Sequence, residues 1–164
     1  MPASSIRATI YWIVYKVAHA VYSVFPVLGT IRGSVAVIRR DGGILVIDRN
    51  DRRGLGFPGG IANFKEPPEA TLRREVREET GLAVESAELL FDFRTEKPFP
   101  VHTHVFEAVC RGEVKGSWEG TPTVVSLTDL QTRVIVEQKP IVEFLLARPS
   151  RAATGLISPP RSAG

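Results

Sequence analysis

The sequence is poor in cysteine and has no surplus of positive charge outside one short segment. Its single cysteine, Cys110, excludes an intramolecular disulfide framework and a cysteine-rich zinc site. The 21 lysines and arginines exceed the 18 acidic residues by three, and the stretch from residue 148 onward holds three arginines and no acid. Residues 1–147 are therefore electrically balanced. The sequence pI of about 9.3 comes from the arginines after residue 147 and does not indicate a nucleic-acid-binding face. We expect no nucleic-acid partner.

Length and composition indicate one folded domain with two dissimilar flanks. The chain has 164 residues, of which 43% are hydrophobic and 24% are charged, a balance typical of folded globular proteins. We divide it into an N-terminal segment (1–30), a central domain (31–147) and a tail (148–164). The tail is rich in Pro, Ser, Ala and Gly, and we expect it to be flexible.

Residues 6–25 carry an apolar stripe at helical spacing, which predicts one amphipathic helix outside the central domain. Lys16 and His19 interrupt the segment at its middle, which argues against a membrane-spanning helix and a secretory signal. Three roles remain open: packing on the chain's own domain, pairing with a second copy as a homodimer, and weak contact with a membrane surface. The first two are favoured, and we expect a cytoplasmic protein.

The central domain alternates apolar runs with turn signals. Two β-branched runs, 34–38 and 44–48, flank the dipeptide Asp41-Gly42, which is typical of a β-hairpin turn. Residues 67–80 predict a helix that starts at two prolines and stops at a glycine. Further strands are predicted at 86–94, 103–109 and 124–127, with a closing helix at 141–147. Because strands and helices mix without regular βαβ alternation, we predict an α+β fold, a mixed β-sheet between helices in α/β/α layers.

Three glutamates share one face of the helix predicted over 67–80. Glu75, Glu78 and Glu79 stand at i, i+3 and i+4, so their carboxylates lie within one turn and repel each other. A cation would neutralise such a cluster, and oxygen ligands without histidine or cysteine favour Mg²⁺ or Mn²⁺ over zinc. The alternative is a solvated helix face whose acids pair with neighbouring arginines.

The residues around this helix follow a longer pattern, G-x5-E-x7-R-E-U-x-E-E-x-G-U, in which U is a bulky aliphatic residue. Its nine specified positions are Gly60, Glu66, Arg74, Glu75, Val76, Glu78, Glu79, Gly81 and Leu82. In this pattern the chain resembles the Nudix hydrolases, including their MutT-like members, over roughly residues 31–147. The resemblance implies the Nudix fold and a Mg²⁺- or Mn²⁺-dependent hydrolase. Such an enzyme cleaves the diphosphate linkage of a nucleoside diphosphate linked to another moiety.

The resemblance also implies roles for individual residues of the pattern. Glu75, Glu78 and Glu79 match the metal-binding glutamates, and Glu66 matches the partner of Arg74 in a salt bridge that supports the loop against the helix. Gly59 and Gly60 would let the backbone approach the substrate phosphates, since glycine has no Cβ.

Two residues outside the pattern complete the expected site. Glu119 stands in a Glu-Gly-Thr-Pro stretch similar to one that supplies a metal-binding or base glutamate in MutT-like members. We therefore assign catalysis to Glu78, Glu79 and Glu119, with the general base open between Glu79 and Glu119. Arg49 ends the second strand, where its guanidinium could bind a substrate phosphate.

The substrate is expected to be a small nucleotide derivative, of one of two classes. Pro98 follows Leu82 by sixteen residues, as in ADP-ribose-cleaving relatives, whereas the stretch at Glu119 favours a nucleoside triphosphate. Of the two, an ADP-ribose-like compound is preferred. The alternative function is a catalytically silent Nudix-fold nucleotide-binding or regulatory module, attached to a membrane surface through residues 6–25. A module that only binds would have no need of three crowded carboxylates.

Overall fold

The computed structural model describes residues 31–51, 53–96 and 100–148. The helix predicted over 6–25, the tail beyond residue 148 and Pro98 lie outside these residues. No helix in the described ranges is long and apolar enough to cross a membrane.

The described residues form seven strands, three α-helices and one 3₁₀ turn. The strands are β1 (Ile31–Arg40), β2 (Gly43–Arg49), β3 (Leu55–Gly56), β4 (Gly59–Ile61), β5 (Ala83–Thr95), β6 (Val101–Arg111) and β7 (Gly120–Val125). The helices are α1 (Pro68–Thr80), α2 (Leu127–Arg133) and α3 (Lys139–Ala147), and the 3₁₀ turn is Val136–Gln138.

Strand β1 lies at the centre of a mixed sheet. Strand β6 runs parallel to it along one edge, while the other edge pairs antiparallel first with β4 and then with β2. Strand β5 pairs antiparallel with β6, and β3 and β7 both pair antiparallel with β2. This topology brings the start of β7 and the end of β2 together, because Arg49 lies opposite Gly120.

Side chains of β1 alternate between two hydrophobic clusters. Val35 and Val37 belong to the cluster that contains the buried residues of α2 and α3, whereas Ala36 and Ile38 belong to the cluster that contains Leu72 of α1. The sheet therefore lies between α1 on one face and α2 with α3 on the other. The predicted α+β class and its α/β/α layers are confirmed.

Helix α1 has the ends and the buried face that its sequence predicts. Pro67 is the N-cap, with proline again at the first helical position, and Gly81 ends the helix in a left-handed conformation at φ 74°. Leu72 and Val76, four residues apart, are both fully buried against the sheet. Glu79, seven residues after Leu72, lies on the same side of the helix and is itself buried, so the packing of this face fixes where Glu79 points.

The hairpin is also confirmed, since Asp41 and Gly42 both have positive φ, at 50° and 78°, as its two-residue turn requires. The strands predicted at 86–94 and 103–109 are present and longer at both ends, as β5 and β6.

The strand predicted at 124–127 is wrong in position. Strand β7 begins at Gly120 and ends at Val125, and Ser126 starts helix α2, which the sequence analysis did not predict. The Ser126 hydroxyl accepts a hydrogen bond from the backbone N–H of Asp129, an N-cap that ends the strand. The correction matters for function, because Glu119 then stands directly before the first residue of β7.

Replacing Leu72 by alanine tests whether α1 is held by its buried face. Because Leu72 is fully buried, Leu72→Ala should lower the free energy of unfolding by about 2–5 kcal/mol, the usual cost of such a cavity. Leu146→Ala, at a leucine that is 46% exposed, should change it by about 0.5 kcal/mol or less. Urea denaturation measures both, and equal losses for the two variants would contradict the packing described.

Candidate active site

Helix α1 and strand β4 carry three of the pattern residues, Gly60, Arg74 and Glu75, to one side of a cleft of about 630 Å³. The cleft is bounded by β4 and its following loop, by β5 and β6, by Glu119 and by the 3₁₀ turn. Its volume is within the range of small-molecule sites. Gly59, Gly60, Glu75, Glu119 and Arg49 all line it.

Arg74 is the centre of an ion-pair network at the base of the cleft. Its Nε donates to Oε1 of Glu66 over 3.0 Å, and its Nη2 donates to Oε2 over 2.9 Å, a bidentate pair. Its Nη1 donates to Glu75 over 2.7 Å and to Glu78 over 3.3 Å, and its Nη2 also reaches the carbonyl of Ile61. One guanidinium therefore joins the loop, the strand β4 and two glutamates of α1.

Glu66 is fixed by more than Arg74. Its Oε2 also accepts hydrogen bonds from the backbone N–H of Asn63 (2.9 Å) and from the hydroxyl of Thr71 (3.0 Å). The Arg74 hydrogen bonds, followed by that of Asn63, lower the pKa of Glu66 from 4.5 to about 2. Glu66 therefore stays ionised and ties the loop before α1 to the helix.

Two glycines let the backbone of β4 pass directly against the carboxylates. Gly59, at φ 151°, donates its N–H to Oε2 of Glu79 over 2.9 Å. A Cβ at Gly59 would lie 2.2 Å from the carbonyl oxygen of Ser34, and one at Gly60 would lie 2.5 Å from Oε1 of Glu75. Any larger residue at either position would displace the strand or the carboxylate.

Glu79 is the most deeply buried of the acidic groups at the cleft, with 6% of its surface exposed. Its pKa is raised from 4.5 to about 8, chiefly by burial, with the neighbouring carboxyls of Glu119 and Glu75 contributing to the rise and the hydrogen bond from Gly59 opposing it. Burial also raises the pKa of Glu75, with Glu78 and Glu119 adding to it and Arg74 opposing it. Glu75, Glu79 and Glu119 thus form a group of mutually repelling carboxyls, here called the carboxylate cluster.

Glu78 borders that cluster on its exposed side. Its side chain is 59% exposed and contacts Arg74, although it is close enough to Glu75 to act on its pKa. The predicted helix face therefore contributes Glu75 and Glu79 to the cluster and Glu78 to its exposed edge. Glu119, from the distant start of β7, is the third member.

The donor set fits a hard divalent cation. The cluster offers only carboxylate oxygens, and the charged forms of Glu75 and Glu79 are destabilised by burial and by neighbouring carboxyls, which a bound cation would relieve. Among the described residues, no group of three or more histidine, cysteine or acidic side chains is arranged so that it could hold a metal ion. Mg²⁺ suits such a site, because it binds through one or two carboxylates and keeps positions for water and substrate phosphates.

Arg49 lines the cleft but is already engaged. Its guanidinium donates to both oxygens of the Asp51 carboxylate, over 2.9–3.2 Å. Arg53, at the same rim, pairs with Glu137 of the 3₁₀ turn. The structure thus places Arg49 where it can reach a phosphate, with Asp51 as a competing partner.

Two further cleft residues carried no signal in the sequence. Phe93 of β5 exposes part of an aromatic ring to the cleft and stacks on Phe91. Gln138 ends the 3₁₀ turn, and its Oε1 accepts the backbone N–H of Phe57 over 2.8 Å, which leaves its NH₂ as the donor end. Neither belongs to a local motif, and only the tertiary fold brings them to the glutamates.

A family model described as "NUDIX domain" matches residues 30–143 of this chain, which is more than half of it. Among solved structures, a Nudix hydrolase family member from Chromobacterium violaceum is similar, with a TM-score of 0.62 and 32% identity. The similarity covers 73% of this chain and 78% of that one. Fold and sequence pattern therefore point to the same family.

Three curated relatives match over shorter segments. A "MutT-like protein" from Streptomyces ambofaciens is 42% identical over 39% of this chain and 42% of its own length. An "RNA pyrophosphohydrolase" from Xanthomonas oryzae pv. oryzae is 43% identical over 34% and 27%. An "8-oxo-dGTP diphosphatase" from Haemophilus influenzae is 36% identical over 43% and 47%. The matched segment thus spans less than half the length of each relative.

The raised pKa of Glu79 predicts how the stability of the metal-free protein depends on pH. An unfolded chain ionises this carboxyl near its ordinary pKa of 4.5, whereas the folded chain resists until about 8. The free energy of unfolding should therefore fall as the pH rises through that window. Glu79→Gln imitates the protonated form, so it should raise Tm in EDTA at pH 8 and have less effect at pH 5.

Thermal unfolding at both pH values measures this difference. Glu143→Gln, which removes an exposed carboxylate of α3, is the matched control. Parallel Tm curves for the parent and Glu79→Gln would show that burial does not hold a proton on Glu79.

Proposed function

Because the chain belongs to the NUDIX domain family, we propose that it is a metal-dependent pyrophosphohydrolase that cleaves a diphosphate linkage in a small nucleotide. The observation that carries this proposal is the carboxylate cluster, in which Glu75, Glu79 and Glu119 converge beside the glycine backbone of β4. A protein that only binds nucleotides gains nothing from crowding three repelling carboxyls beside its cleft.

Glu75, Glu78, Glu79 and Glu119 are the residues that would hold Mg²⁺ or Mn²⁺. When bound, the cation lowers the pKa of a coordinated water and neutralises charge on the phosphates. Arg74 orients Glu75 through its 2.7 Å hydrogen bond, and Gly59 orients Glu79 through its N–H. These contacts fix the ligand oxygens before a substrate arrives, which lowers the cost of organising the site.

The proton of the attacking water is assigned to the Glu79–Glu119 pair. Oε2 of Glu79 accepts the Gly59 N–H, and the Glu119 carboxyl acts on Glu79 more strongly than the carboxyl of Glu75 does. We therefore assign the role of general base to the two residues together rather than to either one alone. Water attacks a diphosphate phosphorus, the bridging P–O bond breaks, and the pair takes the proton.

Within this reaction class, the described residues favour a nucleoside triphosphate, split to a monophosphate and pyrophosphate. Glu119 of the Glu-Gly-Thr-Pro stretch stands in the cluster, and one relative is named an 8-oxo-dGTP diphosphatase. Pro98, on which the preference for ADP-ribose depends, lies outside the described residues. Arg49 would bind phosphate, while Phe93 and Gln138 border the part of the cleft available to a base.

A polymeric RNA substrate is disfavoured, although one relative is named an RNA pyrophosphohydrolase. The cleft arginines Arg49, Arg53 and Arg74 each pair with a carboxylate, Asp51, Glu137 and Glu66 respectively. They do not form a continuous cationic track, which is what tight binding of a polyanion requires.

A substrate panel with anion-exchange analysis of the products tests the proposal. The panel contains dGTP, 8-oxo-dGTP, ATP, ADP-ribose and a 5′-triphosphorylated RNA oligonucleotide, each with Mg²⁺ or Mn²⁺. We expect a nucleoside triphosphate to give the highest kcat/KM, with loss of turnover in excess EDTA and in Glu79→Gln. Undiminished turnover in EDTA would overturn the metal dependence, and nucleotide binding without hydrolysis would favour the silent module. If ADP-ribose gave the highest kcat/KM, the preference for an ADP-ribose-like substrate stated from the sequence would be correct instead.

Gly60→Ala should separate activity from stability. The new Cβ would lie 2.5 Å from the Glu75 carboxylate, which sits at the end of a flexible side chain and can move away without disturbing the core. We expect kcat to fall about 100-fold, as for displacements near 1 Å in other sites, with little change in Tm. Gly116→Ala is the control, because a Cβ there meets its nearest atom at 3.5 Å. An active Gly60→Ala enzyme would contradict the placement of Glu75.

A further inference from the structure

Two neighbouring carbonyl groups beside the cleft are bound by one residue that no motif includes. The backbone N–H of Asn50 donates to the carbonyl oxygen of Glu119 over 2.9 Å. Its side-chain Nδ2 donates to the carbonyl oxygen of Trp118, also over 2.9 Å. Asn50 follows the end of β2, so it joins the β2–β3 loop to the segment that delivers Glu119.

The backbone on the far side of Glu119 is equally constrained. Gly120 lies opposite Arg49 as the last pair of the β2–β7 ladder. A Cβ at Gly120 would lie 2.4 Å from the carbonyl oxygen of Asp48, so the two strands approach closely. Glu119 is therefore held between a strand pair on one side and the Asn50 contacts on the other.

The segment before Glu119 has weak anchors of its own. The Trp118 side chain is 73% exposed and so does not fasten this segment to the core. A turn forms in which Ser117 accepts the N–H of Glu119 over 3.2 Å and donates its own N–H to Gly120 over 3.2 Å. These two bonds lie within the segment, and the next anchor before it is the bond from the Lys115 N–H to the Thr80 carbonyl over 2.8 Å, so the Asn50 side chain ties Trp118 itself to the β2–β3 loop.

We propose that Asn50 is a positioning residue for Glu119: its side-chain amide holds the Trp118 carbonyl and so keeps the Glu119 carboxyl against Glu79. The inference rests on the proposed function, in which Glu119 acts together with Glu79. An asparagine suits the task, because its short amide donates to a backbone carbonyl from within a turn. Only the side-chain bond depends on the residue type, since any residue except proline keeps the backbone bond to Glu119.

The kinetic test is a double-mutant cycle on the full chain. Asn50→Ala removes one hydrogen bond, so kcat should fall about fivefold with KM changed less than about twofold. In the Glu119→Gln background, Asn50→Ala should cause no further loss, because the residue acts through Glu119. Thr132→Ala is the matched control: it removes another exposed side-chain bond to a carbonyl, that of Asp129, away from the cleft.

Hydrogen exchange of the metal-free protein gives a readout that is independent of turnover. Asn50→Ala should speed exchange of the amides of residues 117–120, and Thr132→Ala should leave them unchanged. Unchanged exchange in Asn50→Ala would overturn the inference whatever the activity, and so would an equal loss of kcat in both Glu119 backgrounds. If Asn50→Ala speeds exchange but the parent protein hydrolyses no nucleotide, the structural role of Asn50 stands and the proposed function is overturned.

Discussion

The crowding of Glu75, Glu79 and Glu119 around one end of a cleft is the constraint on which the rest of the structure depends. Carboxylates lose hydration when they are buried, and they repel one another more strongly where water is scarce. The cluster therefore opposes folding, as the raised pKa values of Glu75 and Glu79 record. It persists because the remaining structure holds the chain segments that carry it.

Two sources of stability offset that cost, and they act at different places. Hydrophobic burial acts on the helix as a whole, since Leu72 and Val76 seat α1 on the sheet and point its glutamates at the cleft. Specific polar contacts act on the carboxyls themselves, through the guanidinium of Arg74 and the N–H of Gly59. Hydrophobic burial thus positions the backbone of α1, and the polar contacts fix the carboxylate oxygens of Glu75 and Glu79.

Most of the site could be predicted where its determinants are local in sequence. The turn of helix that carries Glu75 and Glu79, the glycine that ends it and the pairing of Glu66 with Arg74 depend on spacings of a few residues, which the sequence displays directly. Glu119 was expected from its motif, yet its place in the cluster depends on the pairing of β7 with β2. Phe93, Gln138 and Asn50 carried no signal, because their roles arise only when distant strands and turns meet. Helix α2 was not predicted, because the β-branched residues before Ser126 favour a continued strand, whereas the Ser126 hydroxyl caps a helix there.

The pairing of the cleft arginines also bears on how the site distinguishes among anions. Arg49 and Arg53 already have carboxylate partners in Asp51 and Glu137, so an incoming phosphate must compete with these partners for the guanidinium groups. A single phosphate would gain little binding free energy from displacing these partners, because the carboxylate cluster also repels it. A chain of phosphates that shares a divalent cation with the cluster gains attraction where a single phosphate meets repulsion. If the proposed function holds, selectivity for diphosphate linkages follows from the same excess of negative charge that makes the cluster costly to bury.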